Sequence, residues 1–311
     1  MQRIEYIDIM RGIGILLVIL QHCIGNIEEP LSRFILTFHM PLFFFISGFC
    51  MKSGGIKQIV RKTKTILIPQ ITLCVITLAT TVLLDVVLSK STSLAEIDIF
   101  NVFLQMWFLP VLFCMELIMI LILCFCKKRY ILLLITIGIV LIFNNTDYST
   151  YNIVQQTLGA LVFGLIGFLL RPSLDCYTQL NTLYKGLGWL LLMLVAFLSV
   201  YNEPIGIYIN QYGNKLVFII IALIAILAIA DISLSICNSR FLQWLGKNSI
   251  FIYVIQFLIV RIMVAIFSRL IPETGYPYYF LPFFVSLFIC VCLVPMLNRY
   301  TPLLFGKSIR Q

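Results

Sequence analysis

The 311-residue chain has little charge: 11% of its residues are charged, 61% are hydrophobic, and the mean hydropathy is +1.05. A soluble protein of this length needs far more charge on its surface, so the composition excludes a soluble enzyme. The apolar runs are too long and too continuous for the alternating strands of a membrane barrel. Helices satisfy every backbone hydrogen bond within lipid. The sequence therefore predicts an all-α, polytopic membrane helix bundle.

Patterns typical of metal ligands or of a cleaved leader are also lacking. Most of the ten cysteines lie in apolar runs, where a thiol behaves as a small hydrophobe. The Cys-x-Cys pairs at 124–126 and 290–292 have no histidine nearby, so we expect no metal site. The first apolar run carries Arg11 and no small-residue cleavage site follows it, so we expect it to stay in the protein.

Ten apolar runs are candidates to cross a bilayer core of about 30 Å, although the fifth and seventh are short. Basic residues concentrate in alternate loops, a positive-inside pattern that predicts cytoplasmic termini and argues against nucleic acid as a partner. The outer connection 201–214 is rich in Tyr and Asn, which suits either sugar binding or an ordinary membrane interface. We treat 1–311 as one transmembrane domain, with spans at about 8–27, 33–52, 65–88, 102–126, 130–143, 153–170, 186–200, 215–236, 248–270 and 280–297.

Ionisable residues within the spans are the most informative positions, because charge in hydrocarbon is costly. The chain has two histidines, and both belong to this set. Arg11 and His22 are eleven residues apart, so on a helix they share one face with a rise of about 16 Å. That face suits a long anionic donor whose charged end stays near the cytosol while its reactive tip reaches inward. The full set comprises Arg11, His22, His39, Glu116, Asp231 and Arg261, with Asp85 and Arg269 near helix ends.

His39 enters from the opposite side on the second span, at a depth comparable to that of His22. Pro41 follows and frees a backbone carbonyl, so His39 is expected to donate a hydrogen bond to a substrate or to that carbonyl. Ser47-Gly48 permits close helix approach, while Leu42 to Ile46 are expected to serve packing. An anchor and a phosphate site explain the basic loop before the third span equally well; its cations are Arg61, Lys62 and Lys64.

Five segments, in order along nearly the whole chain, resemble one family. "RIEYIDIMRGIGILLVILQHC" resembles the opening of the acyltransferase family 3 membrane proteins, including the Arg-x10-His arrangement. "FHMPLFFFISGF" resembles the second-helix motif of the fucose 4-O-acetylase-like branch, and "RKTKTILIP" resembles the basic loop. "MWFLPVLFCMEL" (106–117) resembles the Trp-containing fourth span, and "LGKNSIFIYVIQF" (245–257) the late Gly-x-x-Ser…Tyr segment. Each motif is moderately specific, whereas the ordered series is a strong signal.

The resemblance implies an O-acyltransferase, within the class that transfers groups other than aminoacyl groups. It implies acyl-CoA, usually acetyl-CoA, as the cytoplasmic donor and no metal. The acceptor would be a hydroxyl of an extracytoplasmic polysaccharide or lipid-linked sugar, so the reaction is O-acetylation in the bacterial cell envelope at the inner membrane. The same resemblance makes His22 the catalytic histidine and places Arg11 and Arg61 in the donor-binding set.

Acyl transfer to an alcohol needs a base, which neutral imidazole supplies, and stabilisation of an oxyanion. His39 is the second catalytic candidate, and Lys62 and Lys64 extend the donor-binding set. The candidates for substrate or oxyanion contacts are Ser47, Glu116 and Gln256.

Two positions depart from the family pattern. Gln256 stands where the late motif often has histidine, and Gln cannot act as a base. Lys64 follows Arg61 where Arg-x-x-Arg is common, so the bidentate fork of arginine is missing there. A glycan exporter and a non-catalytic partner in envelope assembly stay open as alternatives, although neither needs a CoA phosphate site. The sequence does not determine the acceptor or the acyl chain. It also leaves open whether histidine acts as a base or is itself acylated, and whether the protein is a monomer or a homo-oligomer.

Overall fold

A computed structural model describes residues 5–52, 56–87, 106–126, 128–146, 153–177, 187–236, 238–270 and 276–305. These residues form helices and no strand, apart from one isolated bridge between Gly206 and Gln211. A π-helical turn spans Thr63–Leu67, and short 3₁₀ turns occupy Ile207–Ile209 and Pro302–Phe305. The helices are α1 (Glu5–Ile24), α2 (Pro30–Phe49), α3 (Ile56–Lys62), α4 (Ile68–Val87), α5 (Phe108–Phe125), α6 (Arg129–Asn145), α7 (Ile153–Tyr177), α8 (Leu187–Ser199), α9 (Lys215–Ser235), α10 (Arg240–Lys247), α11 (Ser249–Phe267) and α12 (Tyr276–Tyr300).

Eight helical segments in the described residues are long and apolar enough to cross a membrane. They are α1, α2, the combined α3–α4 segment, α5, α7, α9, α11 and α12, whereas α6 and α8 are shorter apolar helices. The expected all-α, polytopic membrane bundle is therefore confirmed, including the short fifth and seventh runs. The chain is a multi-pass membrane protein.

The first two helices lie three residues earlier than the sequence pattern predicts. Gly25 follows α1 with a φ of +69°, a left-handed conformation that favours glycine and ends helices. Pro30 begins α2, where its missing N–H is not needed by the helix. Hydropathy averages over many residues, so it does not register these two local stop and start signals.

Helices α1 and α2 form the centre of the bundle. Helix α1 packs against α2, α9, α10, α11 and α12, while α2 packs against α1, α5, α7, α8 and α9. In each, 72% of the membrane-length segment is buried inside the protein, compared with 28% in α12. Both histidines therefore lie on the most enclosed pair of helices.

Small residues set the closest helix contacts. A side chain on Gly48 would collide with the backbone carbonyl of Gly164, so α2 and α7 cross at backbone distance there. Likewise, a side chain on Gly246 would collide with the carbonyl of Asp8. Because of that contact, α10 lies directly on α1, although the sequence analysis leaves Arg240 to Lys247 in a loop.

Two ionisable residues within spans have structural partners. Asp231 Oδ2 accepts a hydrogen bond of 3.0 Å from the backbone N–H of Gly188 at the start of α8. Arg261 lies over the ring of Phe257 at 5.7 Å. The side chain of Asp85 lies outside the described residues. Asp231 and Arg261 therefore support the bundle rather than enter the cavities described below.

Candidate functional site

One face of α1 and one face of α2 line two cavities in succession. On α1, the lining residues Arg11, Ile15, Val18 and His22 are three or four residues apart, so they form a single stripe. The shared face of Arg11 and His22, expected from their spacing, is thus what the helix presents to the cavities. On α2, the matching stripe comprises Leu36, His39, Met40, Phe43 and Ser47.

We call the first cavity the histidine cavity; its volume is about 280 Å³. Both histidines line it, as the depth argument predicts, and they come from two antiparallel helices. Aromatic and amide side chains complete much of the wall. They are Gln21, Trp107, Tyr208, Tyr253, Gln256 and Phe257.

The two histidines differ in their contacts. Nδ1 of His39 lies 2.9 Å from the carbonyl oxygen of Ile35. Because a carbonyl oxygen can only accept, Nδ1 carries the proton, and the neutral ring then keeps its lone pair on Nε2. This carbonyl is not the one that Pro41 frees, which belongs to Thr37. The side chain of His39 is therefore fixed by the carbonyl one turn before it on its own helix, two residues before the carbonyl that Pro41 frees.

His22 has a looser environment. Its ring meets that of Phe257 edge to face, with centroids 5.8 Å apart. In the described part of the chain it makes no hydrogen bond, and its exposed surface borders the cavity. Both ring nitrogens are therefore available to a ligand.

Two of the glutamines that line this cavity are almost completely buried. Gln256 is 1% exposed and Gln21 is 8% exposed. Nε2 of Gln256 lies 3.5 Å from the carbonyl of Tyr253, and Nε2 of Gln21 lies 2.8 Å from Ser32 Oγ. The Oε1 atoms of both glutamines have no hydrogen-bond partner among the described residues.

The second cavity, which we call the basic cavity, has a volume of about 270 Å³. Its wall contains the cations Arg11, Lys62 and Lys247 and one carboxylate, Glu116. Ser249, the first residue of α11, also lines it, so the N-terminal end of that helix, where the helix dipole is positive, lies at this wall. The cavity is therefore suited to anions.

Part of the charge in the basic cavity is internally paired. Glu116 Oε1 accepts a hydrogen bond of 2.7 Å from Lys62 Nζ and another from Ser47 Oγ. Arg11 lies 3.8 Å from Asp8. Lys247 makes no ion pair with the described residues and is exposed. Arg11 and Lys247 are thus the cations with the most capacity left for a ligand.

Three residues line both cavities: Val18, Met40 and Tyr253. We call these residues the neck. Each comes from a different helix, namely α1, α2 and α11. Since the same side chains bound both spaces, the two cavities are separated by no more than the thickness of one side-chain layer.

The connection between α8 and α9 forms part of the wall of the histidine cavity. Its residues Ile207 and Tyr208 line the cavity. The buried Gln156 of α7 holds that wall, because its Nε2 donates to the carbonyl oxygens of Ile207 at 3.2 Å and Tyr208 at 3.0 Å. The segment that the sequence left open between sugar binding and a plain interface is therefore adjacent to both histidines.

Further hydrogen bonds anchor the start and end of this connection. Arg33 Nη2 donates to the carbonyl oxygens of Val200 at 3.2 Å and Asn202 at 2.5 Å. Asn202 Nδ2 in turn donates to the carbonyl of Tyr212 at 3.2 Å. Tyr212 is 3% exposed, and burial raises the pKa of its hydroxyl, which therefore stays neutral. The connection is thus an ordered element rather than an open loop.

The structure divides the expected site residues between the two cavities. His22, His39 and Gln256 line the histidine cavity, whereas Arg11, Lys62, Ser47 and Glu116 line the basic cavity. Arg61 and Lys64 are exposed and line neither. Phe43 also differs from expectation, because it lines the basic cavity while its neighbours Leu42, Phe44, Phe45 and Ile46 are buried packing residues.

Sequence reasoning missed several lining residues, notably Lys247, Gln21, Trp107 and Tyr253. All four lie within the segments quoted above for the family resemblance, which is the signal that could have identified Lys247, Trp107 and Tyr253. Gln21 precedes His22 and gives no signal of its own. Its role depends on Ser32, which only the contact between α1 and α2 brings near.

Comparison with known proteins gives one match. The family model described as an acyltransferase domain, that of acyltransferase family 3, matches residues 4–301. No curated protein and no solved structure matches the chain significantly. The family match covers nearly the whole sequence, including every residue of both cavities. This multi-pass membrane protein, with its histidine and basic cavities, therefore belongs to acyltransferase family 3.

Proposed function

We propose that the protein transfers a short acyl group, acetyl in the simplest case, from cytoplasmic acyl-CoA to a hydroxyl of an extracytoplasmic polysaccharide or lipid-linked sugar. Family membership supplies acyl transfer in general. The observation that carries the proposal is the pair of cavities, one lined by three cations and the other by two histidines, with a shared neck. The basic cavity faces the cytoplasm of a bacterial inner membrane, in keeping with the positive-inside distribution of charge.

The basic cavity is the proposed donor site. CoA carries phosphate groups, which cations bind through charge-assisted hydrogen bonds. Arg11 and Lys247 have the most capacity for such bonds, because Lys62 is already paired with Glu116. Arg61 and Lys64 act from outside the cavity, as a surface charge that attracts the nucleotide end of the donor. The thioester end passes the neck and reaches the histidines.

The histidine cavity is the proposed transfer site. His22 accepts the proton of the acceptor hydroxyl while that oxygen attacks the thioester carbonyl carbon. The carbon–sulfur bond then breaks, the ester forms, and the proton passes to the departing CoA thiolate. His22 is suited to this role because it shares a helix face with Arg11 and is not held by another hydrogen bond within the described residues.

His39 is the proposed positioning partner. Its Nδ1 proton is held by Ile35, so Nε2 accepts a hydrogen bond from a second hydroxyl of the acceptor and orients the acceptor beside His22. The cavity volume, about 280 Å³, lies near the lower end of small-molecule sites, which begin at about 300 Å³. This size supports one sugar ring with a short acyl group rather than a fatty acyl chain.

The proposal is tested with membrane-impermeant [¹⁴C]acetyl-CoA and vesicles from cells that carry the gene or lack it. Label is expected in the glycan or glycolipid fraction of inside-out vesicles that contain the protein, with mass spectrometry locating the new ester. Label in right-side-out vesicles alone would reverse the orientation. Equal labelling with and without the gene would contradict the transferase and leave an exporter or an assembly partner, because neither of these consumes acetyl-CoA.

A further inference from the structure

One carboxylate lies among the cations of the basic cavity. Glu116, on α5, is 2% exposed, and its Oε1 accepts a hydrogen bond of 2.7 Å from Lys62 Nζ. Ser47 Oγ donates to the same oxygen. All three residues line the basic cavity, and they come from α2, α3 and α5. The cluster of Ser47, Lys62 and Glu116 is therefore part of the wall of the donor site.

Glu116 is bonded to the cation of the basic loop that reaches this cavity. Lys62 lines the basic cavity with a side chain that is 23% exposed, whereas Arg61 and Lys64 are exposed and line neither cavity. A lysine side chain is flexible, and its ammonium can donate in three directions. A hydrogen-bonded ion pair with a nearly buried carboxylate therefore fixes where the charge of Lys62 lies.

The same ion pair cancels one positive charge of the basic cavity. The wall contains three cations, Arg11, Lys62 and Lys247, and one carboxylate, Glu116. Two opposite charges only 2.7 Å apart largely cancel each other's field, so a nearby phosphate is attracted mainly by Arg11 and Lys247. The carboxylate thus lowers the affinity of the cavity for an anion below that of three cations alone.

A moderate affinity suits a transferase whose product is as anionic as its donor. Under the proposed function, acyl-CoA enters the basic cavity and CoA leaves it, and both carry the same phosphate groups. Binding energy that is the same for the substrate and the transition state lowers the KM without raising the kcat. A cavity whose three cations were all unpaired would therefore retain CoA after the acyl group has been transferred.

We propose that Glu116 is a positioning residue: it holds Lys62 at the wall of the basic cavity and neutralises it, so that CoA leaves after transfer. This inference rests on the proposed function, which assigns the basic cavity to CoA, and it adds the residue that limits the affinity of that site. Glu116 acts through Lys62, whose remaining N–H groups are available to a phosphate.

The first variant removes the charge of Glu116 and keeps its contacts. In Glu116→Gln an amide oxygen still accepts from Lys62 Nζ and Ser47 Oγ, but Lys62 is no longer neutralised. The CoA affinity of the purified full-length protein, measured by calorimetry, is expected to rise about tenfold, which corresponds to about 1.4 kcal/mol. The affinity should also fall more steeply with added salt, because one more free charge contributes. Damage to the fold would lower the affinity rather than raise it.

The second variant tests whether this gain comes from Lys62. When Glu116→Gln is combined with Lys62→Gln, the cluster again has no net charge, so the CoA affinity is expected to lie within about threefold of the wild type. The double variant leaves no unpaired ion in the wall. It therefore tests the inference even if Glu116→Gln alone does not fold.

The matched control is Asp231→Asn. Asp231 is another buried carboxylate within a span, but it lines neither cavity. Asn keeps an oxygen that can accept the hydrogen bond from the backbone N–H of Gly188. The control is expected to keep the wild-type CoA affinity and its salt dependence.

Transfer kinetics in inside-out vesicles give a second measurement. In Glu116→Gln the KM for [¹⁴C]acetyl-CoA is expected to fall, while the kcat does not rise, because the added affinity is the same for donor and product. A change confined to the stability of the protein would not produce this split between KM and kcat.

Two results would overturn the inference alone. One is a folded Glu116→Gln protein whose CoA affinity is equal to or lower than that of the wild type. The other is a double variant whose affinity departs from the wild type by about tenfold or more. In both, the wild-type protein binds CoA and transfers acetyl, so the proposed function stands. Wild-type protein that binds CoA without gene-dependent transfer contradicts the proposed function alone, and wild-type protein that binds no CoA contradicts both.

Discussion

The basic cavity and the histidine cavity are nearly equal in volume, about 270 and 280 Å³, but the polar groups that line them differ in charge. In the basic cavity, Glu116 joins Lys62 and Ser47 in one hydrogen-bonded cluster. In the histidine cavity, the polar groups are uncharged imidazole, amide and phenol side chains, and the ring of His22 has no hydrogen-bond partner among the described residues. Size therefore does not distinguish the two sites, whereas the charge of their lining groups does.

This contrast suggests a division of labour. Charged groups cannot stay buried without partners, so a cavity of cations must hold part of its own counter-charge when the anionic ligand is away. An unpaired neutral group such as an imidazole or an amide costs less free energy than an unpaired charge. The histidine cavity can therefore stay unpaired until the acceptor binds. The neck residues separate the charged groups of the basic cavity from the neutral groups of the histidine cavity by one layer of side chains. The variants below separate binding at one cavity from transfer at the other.

The largest effect is expected from His22→Ala. General base catalysis typically contributes about 10²- to 10⁴-fold, so acetyl transfer should fall to the detection limit. The CoA affinity of the purified protein should stay nearly unchanged, because the basic cavity is intact. Transfer is followed with [¹⁴C]acetyl-CoA, and binding is measured by calorimetry. An active His22→Ala protein would remove the histidine cavity from the mechanism.

The next largest effect is expected from closing the neck with Val18→Phe. Val18 is 2% exposed, and a larger ring there should block the thioester from the histidines. Transfer should fall by roughly 10²-fold, since a misplaced reacting group loses about that much, while CoA binding persists. Val75→Phe is the matched control, because Val75 is 59% exposed and lines neither cavity. Equal activity of both variants would show that the donor does not cross the neck.

A smaller effect is expected from removing one cation of the basic cavity. Lys247→Ala should weaken CoA binding by roughly tenfold, since hydrogen bonds to charged groups contribute about 1.5 to 3 kcal/mol and this lysine is exposed. Arg61→Ala should weaken it less, because Arg61 lies outside the cavity. Arg240→Ala, on the same short helix as Lys247, is the control with no expected change. A stronger loss in Arg61→Ala than in Lys247→Ala would place the phosphates outside the basic cavity.

The smallest effect is expected from His39→Gln. Gln keeps both a donor and an acceptor, so the change should cost no more than one neutral hydrogen bond, about 0.5 to 1.5 kcal/mol. Transfer should therefore persist at roughly a tenth of the wild-type rate or better, with CoA affinity unchanged. A correctly folded but inactive His39→Gln protein would show that His39, not His22, is the base.

Much of the site could be predicted from the spacing of residues within single helices. Arg11 and His22 share a face because helix geometry fixes the angle between residues eleven apart. The depth of His39 follows from the antiparallel entry of α2. The same reasoning could not show which cations of the basic loop face inward. Arg61 and Lys64 lie near a helix end, but they line neither cavity.

By itself, the sequence determined the membrane bundle, its apolar helices, the two histidines at similar depth, and the family. These features depend on composition and on periodicity within one segment, which the chain carries locally. Only the tertiary structure decided that Lys247 joins Arg11, that Val18, Met40 and Tyr253 form a neck, and that Gln256 lines the same cavity as His22. These features depend on how distant helices pack, and packing is set by contacts such as Gly246 against the carbonyl of Asp8, which no single segment encodes.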